Sequence, residues 1–119
     1  FACSRRILEF PAGTLEEGES PLESIKREVQ EESGYSAERW DNLGEMLPCP
    51  GYSDEKIHLF LARDLTKLET KPEGDADEDI EVLKMSTEKL NEIIASGKES
   101  LDGKTITAWF RACQILNKE

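Results

Sequence analysis

The sequence predicts a single domain of the α/β class, and three observations carry this prediction. The chain has 119 residues, which is the length of one domain, and 37% of them are hydrophobic, enough to form a core. Short apolar runs bounded by turn residues predict β-strands, and apolar residues at helical spacing predict α-helices. Because the two kinds of element are interspersed, we expect helices to pack on the faces of a sheet.

The most clearly delimited element is a helix over residues 21–33. Ser20 is a favourable N-cap, Pro21 suits the first helical position, and Glu23 completes a capping box. Gly34 is a typical residue for ending a helix, since it adopts the left-handed conformation without strain. The apolar stripe expected to face a sheet consists of Leu22, Ile25 and Val29.

The other elements are predicted from alternating or helical apolar patterns. Strands are expected at residues 5–10, 43–48, 56–63 and 80–85. Further helices are expected at residues 87–96, between Ser86 as N-cap and Gly97 as stop, and at about 105–117. The stripe expected to be buried on the last helix consists of Ile106, Trp109, Phe110, Cys113 and Leu116.

The net charge indicates which partners to expect, and the cysteines indicate the redox state and location. A formal net charge of −11 repels nucleic-acid backbones and anionic membranes, so we expect neither as a partner. Cys3, Cys49 and Cys113 are odd in number and match no zinc or redox motif, which favours reduced thiols and a cytoplasmic location. His58 is the one histidine and lies within a predicted strand, so packing is favoured over catalysis.

Three carboxylates crowd onto the end of the first predicted helix. Glu28, Glu31 and Glu32 stand at i, i+3 and i+4, so their like charges lie side by side and repel one another. A bound cation would relieve this repulsion, and hard oxygen ligands suit Mg²⁺ or Mn²⁺. The alternative is an acidic surface solvated by water alone.

The spacing of glycine, glutamate and arginine residues over positions 13–35 favours the metal site over the solvated acidic surface. Gly13, five residues, Glu19, seven residues, then Arg27-Glu28-Val29, one residue, Glu31-Glu32, one residue, Gly34-Tyr35 resembles the Nudix box, G-x5-E-x7-REU-x-EE-x-GU. From composition, the fixed identities would occur by chance on the order of once in ten million starting positions. Tyr35 departs from the pattern, because the family more often has an aliphatic residue there.

The resemblance implies a fold, a reaction and a set of ligands. The fold would be a Nudix α/β/α sandwich with a mixed β-sheet, and the reaction would be hydrolysis of a nucleoside diphosphate linked to another group. Glu28 and Glu32 would be the principal Mg²⁺ ligands, with Glu31 as a further ligand or proton acceptor. The carbonyl of Ala12 would complete the coordination sphere, and Arg27 would orient the glutamates. Glu19 would hold the loop through Arg27 or backbone amides.

LEFPAG before the box and PGYSDE after it resemble the ADP-ribose pyrophosphatase branch of the family. Pro50 lies fifteen residues beyond Tyr35, as in that branch, which implies cleavage of ADP-ribose to AMP and ribose 5-phosphate or cleavage of a related nucleotide sugar. Tyr52 instead favours a dinucleoside polyphosphate or oxidised-nucleotide hydrolase. A domain that only binds and senses a nucleotide is the third alternative. Glu78, in an acidic loop, would act as the catalytic base or as a metal ligand.

Resemblance to this branch also implies substrate contacts and an assembly. The residues expected to contact substrate are Arg5, Arg6, Gly13, Pro50, Gly51 and Ser53. Members of the branch carry an N-terminal subdomain that helps to form a homodimer, and we expect that most of it is missing from this chain. We therefore expect a homodimer only for the full-length protein.

Overall fold

The computed structural model of the chain describes residues 8–13, 15–70 and 81–118. Its elements are α1 (Pro21–Ser33), β1 (Tyr35–Met46), β2 (Ile57–Lys67), α2 (Thr87–Ser96) and α3 (Gly103–Leu116). The chain forms two compact units. The central unit contains residues 11–45 and 58–82, and the terminal unit contains the segments 46–57 and 83–119 together with the start of the chain up to residue 10.

Helix α1 has the bounds that the sequence predicts, because both of its ends are specified locally. The Ser20 side chain accepts a hydrogen bond from the backbone N–H of Glu23 at 3.2 Å, which caps the first turn. At the other end Gly34 adopts φ 77° and its N–H donates to the Gln30 carbonyl at 3.0 Å. The carboxylates of the last turns are therefore held on a helix with fixed ends.

Strands β1 and β2 form an antiparallel two-stranded sheet. Leu43 on β1 and Leu59 on β2 are buried and form the apolar core of the central unit. The N–H of Leu68, just after β2, donates to the Gly34 carbonyl at 2.9 Å and so ties the sheet to the end of α1. Strand β1 begins at Tyr35, earlier than the predicted 43–48, and β2 extends to Lys67, beyond the predicted residue 63.

A cross-strand ion pair joins β1 to β2. Arg63 Nε lies 2.9 Å from Asp41 Oδ2, and the two side chains are 13% and 25% exposed. Arg39 approaches the same carboxylate oxygen less closely, at 3.8 Å, and is half exposed. Because the Asp41 and Arg63 side chains are largely covered, this pair is less screened by salt than a surface pair.

Helices α2 and α3 lie in the terminal unit, and each has a side-chain N-cap. Helix α2 has the predicted bounds, with Ser86 accepting from Lys89 N–H at 3.1 Å and Gly97 ending the helix at φ 68°. Helix α3 begins at Gly103, ahead of the predicted Thr105, because Asp102 accepts from the Thr105 N–H at 3.2 Å and caps the first turn.

The first described residues of the chain contact α3 and the segment before it. Leu8 forms an isolated parallel bridge with Leu101, and the ring of Phe10 packs against Trp109 with centroids 6.4 Å apart. Lys104 Nζ lies 3.2 Å from a carboxylate oxygen of Glu9. Within the described residues 8–10, the predicted strand at 5–10 forms this single bridge at Leu8. Residues 5–7 lie outside the described part of the chain.

Two predictions about apolar residues near the C-terminus are wrong. Residues 81–85 of the predicted strand 80–85 form no strand, and Val82, Leu83 and Met85 are exposed. On α3, Ile106 and Phe110 are 44% and 65% exposed, whereas Thr105 and Ala112 are buried. The other members of the predicted stripe, Trp109, Cys113 and Leu116, are partly covered. The prediction is therefore wrong for Ile106 and Phe110, and the most deeply buried side of α3 carries Thr105 and Ala112, which are seven residues apart and share one face. No helix of the described residues is long and apolar enough to cross a membrane.

Candidate active site

The candidate site is formed by α1 and by the loop before it, all within the central unit. Arg27 lies at its centre and is one-quarter exposed. Its Nε and Nη2 donate to the two carboxylate oxygens of Glu19 at 2.9 and 3.1 Å. A guanidinium that binds both oxygens of one carboxylate has a fixed plane as well as a fixed position. Glu19 therefore orients Arg27.

The third nitrogen of that guanidinium faces the carboxylates of α1. Arg27 Nη1 lies 2.8 Å from Glu28 Oε1 and 3.4 Å from Glu31 Oε2, and both glutamate side chains are mostly covered. It also lies 3.6 Å from Oε1 of Glu16, a loop residue whose side chain is 65% exposed. Three carboxylates thus surround one nitrogen, and those of Glu28 and Glu31 accept a hydrogen bond from it.

Glu19 is held by the loop as well as by Arg27. Its Oε1 accepts the backbone N–H of Glu16 at 3.0 Å, and its own N–H donates to the Glu16 carbonyl at 3.0 Å. The hydrogen bonds from Arg27 and from the Glu16 backbone lower the pKa of Glu19 from 4.5 to about 2. In turn, the hydrogen bond to Glu19 raises the pKa of Arg27, so both members of the pair stay charged.

The loop backbone meets α1 at Glu28 and Glu32. The Ala12 N–H donates to Glu32 Oε1 at 2.9 Å. A Cβ added at Gly13 would overlap the Glu28 carboxyl group, so only glycine leaves room for that carboxylate against the loop. These two contacts place the Glu28 and Glu32 side chains beside the Ala12-Gly13 backbone, where the sequence pattern predicts ligands.

The donor chemistry of the site fits a hard divalent cation. Glu28, Glu31 and Glu32 supply carboxylate oxygens, and the space left by Gly13 accommodates one of these groups against the backbone. Within the described residues, however, no three Asp, Glu, His or Cys side chains already lie close enough together to hold one ion. The three carboxylates of α1 lie apart because each has another hydrogen-bond partner. Glu28 and Glu31 accept from Arg27, and Glu32 accepts from the Ala12 amide.

Comparison with known proteins places this site in a family. A family model described as NUDIX domain matches residues 3–110 of the chain. The chain belongs to the NUDIX family. The matched residues include the loop from Gly13, the Glu19–Arg27 pair and the carboxylates of α1.

Several curated proteins resemble this NUDIX domain. The ADP-ribose pyrophosphatase of Bacillus subtilis (strain 168) is 41% identical over 87% of this chain and 56% of the relative. The methanol dehydrogenase activator of Bacillus methanolicus is 36% identical, and the match covers the same shares of the two chains. The GDP-mannose pyrophosphatase of Escherichia coli O1:K1 / APEC is 36% identical over 87% of this chain and 53% of the relative. The chain spans about half the length of these relatives.

A solved structure confirms the fold. The crystal structure of an ADP compounds hydrolase superposes with a TM-score of 0.73 and 24% identity, covering 87% of this chain and 55% of the other. At that identity the likeness concerns the fold alone. The predicted Nudix α/β fold is therefore confirmed, and the described residues contribute to it the three helices and the antiparallel pair β1–β2.

The structure brings together part of the set of site residues predicted from the sequence. Those assembled in the central unit of the NUDIX domain are Ala12, Gly13, Arg27, Glu28, Glu31 and Glu32. Pro50, Gly51 and Ser53 belong to the terminal unit, in the exposed segment between β1 and β2. In this segment the N–H groups of Tyr52 and Ser53 both donate to the Cys49 carbonyl at 2.9 Å. The predicted residues Arg5, Arg6 and Glu78 lie outside the described residues.

Glu16 is the site residue that the sequence prediction missed. Its carboxylate faces Arg27, and its backbone forms the turn that binds Glu19. The signal in the sequence is the spacing Glu16-x-Gly18-Glu19, in which a glycine at φ 78° lets the chain turn back on itself. Because the NUDIX pattern leaves this position open, the motif alone gives no reason to select it.

Proposed function

We propose that this NUDIX domain belongs to a divalent-metal-dependent hydrolase that cleaves the pyrophosphate bond of ADP-ribose or of a related nucleotide sugar. The observation that carries the proposal is the convergence of Glu28 and Glu32 on the Ala12-Gly13 backbone, with Arg27 fixed beside them. The relatives named ADP-ribose pyrophosphatase and GDP-mannose pyrophosphatase support this choice of substrate class.

In the proposed reaction water attacks one phosphorus atom of the diphosphate and the bridging P–O bond breaks. Water supplies OH to one phosphate and H to the other, so ADP-ribose gives AMP and ribose 5-phosphate. The divalent ion, when bound, would lower the pKa of the attacking water and neutralise the charge that develops on the phosphate oxygens. A chain with a net charge of −11 repels a free diphosphate, which is the reason why a bound cation is needed for binding as well.

Each residue of the site has a distinct role in this proposal. Glu28 and Glu32 would hold the ion, together with the Ala12 carbonyl. Glu31 would be a further ligand or would accept a proton from the attacking water. Arg27 would orient the glutamate side chains through its hydrogen bonds to Glu28 and Glu31.

The test is a substrate panel with the full-length protein. ADP-ribose, GDP-mannose, dinucleoside polyphosphates and oxidised dNTPs are each incubated with Mg²⁺, with Mn²⁺ and with EDTA, and products are separated by ion-exchange chromatography. We expect AMP from ADP-ribose with either ion and none with EDTA. Turnover of dinucleoside polyphosphates in preference to ADP-ribose would instead favour the alternative that Tyr52 raises.

A matched pair of variants tests the assignment of the carboxylates. Glu32→Gln is expected to abolish most of the turnover, since an amide oxygen replaces a charged ligand. Glu23→Gln removes the same charge from an exposed position in the first turn of α1 and is expected to keep the activity. Equal activity of the two variants would show that Glu32 is not a ligand.

A domain that binds a nucleotide without cleaving it is the second candidate. The relative named methanol dehydrogenase activator favours it, because that name describes an effect on another protein. Calorimetric titration with ADP-ribose discriminates between the two. Binding without turnover under every metal condition would support the regulatory domain and overturn the hydrolase.

A further inference from the structure

We infer that Glu16 is a positioning residue, which holds Arg27 when Glu28 and Glu31 turn to the divalent cation. The inference rests on the proposed function, since it concerns the loading of the metal into that site. It adds a residue that the NUDIX pattern leaves unspecified and that contacts neither the predicted ligand backbone of Ala12 nor the α1 carboxylates in the described contacts.

Arg27 Nη1 has fewer hydrogen-bond donors than neighbouring carboxylates. The Nη1 nitrogen carries two N–H groups, but carboxylate oxygens of three residues surround it. Two of them, on Glu28 at 2.8 Å and Glu31 at 3.4 Å, are close enough to take these donors. The Glu16 oxygen, at 3.6 Å, lies just beyond hydrogen-bond distance. Glu16 is therefore adjacent to donors that other carboxylates occupy.

Metal binding would leave Arg27 Nη1 with weaker carboxylate partners on α1. A carboxylate that binds a divalent ion shares its negative charge with that ion, so the hydrogen bonds from Nη1 to Glu28 and Glu31 would both weaken. A partly covered guanidinium whose donors are weakly bound is less stable in that position. Among the described residues Glu16 is the third carboxylate beside Nη1, and a small rotation of its exposed side chain would close the gap.

Arg27 itself would stay in place during this exchange. Its Nε and Nη2 remain bound to Glu19, and Glu19 is fixed to the Glu16 backbone by two hydrogen bonds. The same residue, Glu19, thus holds both the guanidinium and the turn that carries Glu16. The donor and its replacement partner are held at a fixed separation, which lowers the entropic cost of the exchange.

Removal of Glu16 should weaken metal binding in a specific way. Without this partner, Nη1 competes more strongly for Glu28 and Glu31, and the ion must displace it. An exposed ion pair changes an equilibrium constant by about two- to fivefold, and we expect that loss of affinity in Glu16→Gln. Glu17→Gln is the matched control, because it removes the same charge from the adjacent exposed residue of the same turn.

The test measures Mn²⁺ affinity of the full-length protein by electron paramagnetic resonance of free Mn²⁺. We expect Glu16→Gln to bind Mn²⁺ about two- to fivefold more weakly than Glu17→Gln, with equal melting temperatures of the apo proteins. In parallel, the Mg²⁺ concentration for half-maximal hydrolysis should rise by the same factor relative to the control.

An Arg27→Lys background shows whether Glu16 acts through Arg27. In that background Glu16→Gln and Glu17→Gln should have the same Mn²⁺ affinity, since the guanidinium donors are gone. Equal affinities when Arg27 is intact, or a difference that persists in the Arg27→Lys background, would overturn the inference. Failure of the proposed function has another signature, namely no Mn²⁺ binding and no hydrolysis by the unmodified protein.

Discussion

Arg27 and Glu19 form a two-point ion pair, in which Nε and Nη2 of the guanidinium meet the two oxygens of the carboxylate at 2.9 and 3.1 Å. The pair links the loop to α1 and leaves Nη1 directed at Glu28 and Glu31. The geometry of the acidic cluster thus depends on a residue eight positions earlier in the chain. This relationship leads to the first two predictions.

Replacement of Arg27 by lysine should impair the site although the charge is retained. A lysine has a single ammonium group and cannot bind both Glu19 oxygens while also reaching Glu28. We expect hydrolysis of the preferred substrate to fall by about 10- to 100-fold, as for other residues that orient metal ligands. Arg39→Lys, the same exchange at a half-exposed residue of β1, is the control. Steady-state kinetics that do not distinguish the two variants would contradict the role of Arg27.

Acid should weaken the contribution of Glu19 to stability over a defined range. The pKa of Glu19 is about 2 in the folded protein and 4.5 in the absence of its partners, so the folded state favours the ionised form. This contribution is therefore complete above pH 4.5 and is lost as the pH falls toward 2. Urea unfolding of the unmodified protein and of Glu19→Gln should show a difference in free energy of unfolding that is constant from about pH 5 to 7 and shrinks at lower pH. A difference that grows with acid would contradict the ion pair.

Gly13 should be irreplaceable for a steric reason that does not involve backbone strain. A Cβ at this position overlaps the Glu28 carboxyl group, so Gly13→Ala must displace a proposed metal ligand. A displacement of about 1 Å at a reacting site can lower the rate on the order of a hundredfold, and we expect a loss of that size. Gly103→Ala is the control, since a Cβ there meets no atom within 4 Å. If Gly13→Ala keeps both rate and Mn²⁺ affinity, the close packing of Gly13 and Glu28 is not required.

The parts of the fold that local sequence specifies are the parts that could be predicted. Helices α1 and α2 have the predicted bounds because Ser20, Gly34, Ser86 and Gly97 cap them from adjacent positions. The start of strand β1 was missed because its first eight residues, YSAERWDN, include few apolar ones, and their extended form depends on pairing with β2. Such pairing between distant segments leaves little trace in a short window of sequence.

Within the candidate site, too, the features that depend on local sequence were predicted and those that depend on loop conformation were not. The spacing of Glu28, Glu31 and Glu32 on one helix could be read from the sequence, and so could the link between Glu19 and Arg27. The approach of the Glu16 carboxylate to Arg27 Nη1 could not, because it depends on the conformation of the turn from Glu16 to Glu19. On α3 the error had another source, since the helix has more apolar positions than its buried face can accommodate.

The last prediction concerns the pair Asp41–Arg63, which lies on the sheet of the central unit away from the sequence motif. Neither residue was singled out from the sequence, yet Arg63 Nε lies 2.9 Å from Asp41 Oδ2 and both side chains are largely covered. Removal of Asp41 takes away the carboxylate that Arg63 faces at 2.9 Å, and removal of Arg63 leaves Asp41 with the more distant, half-exposed Arg39. Asp41→Asn and Arg63→Met should each lower the free energy of unfolding by about 1–3 kcal/mol.

A double-mutant cycle separates the pair from the individual side chains. The double variant of Asp41 and Arg63 should lose less than the sum of the single losses, with a coupling energy of about 0.5–3 kcal/mol in urea unfolding. Arg39→Met is the control, because Arg39 is half exposed and lies 3.8 Å from Asp41, and its effect should stay within about 0.5 kcal/mol. Strictly additive losses at Asp41 and Arg63 would mean that the two side chains stabilise the sheet independently, by packing and not as an ion pair.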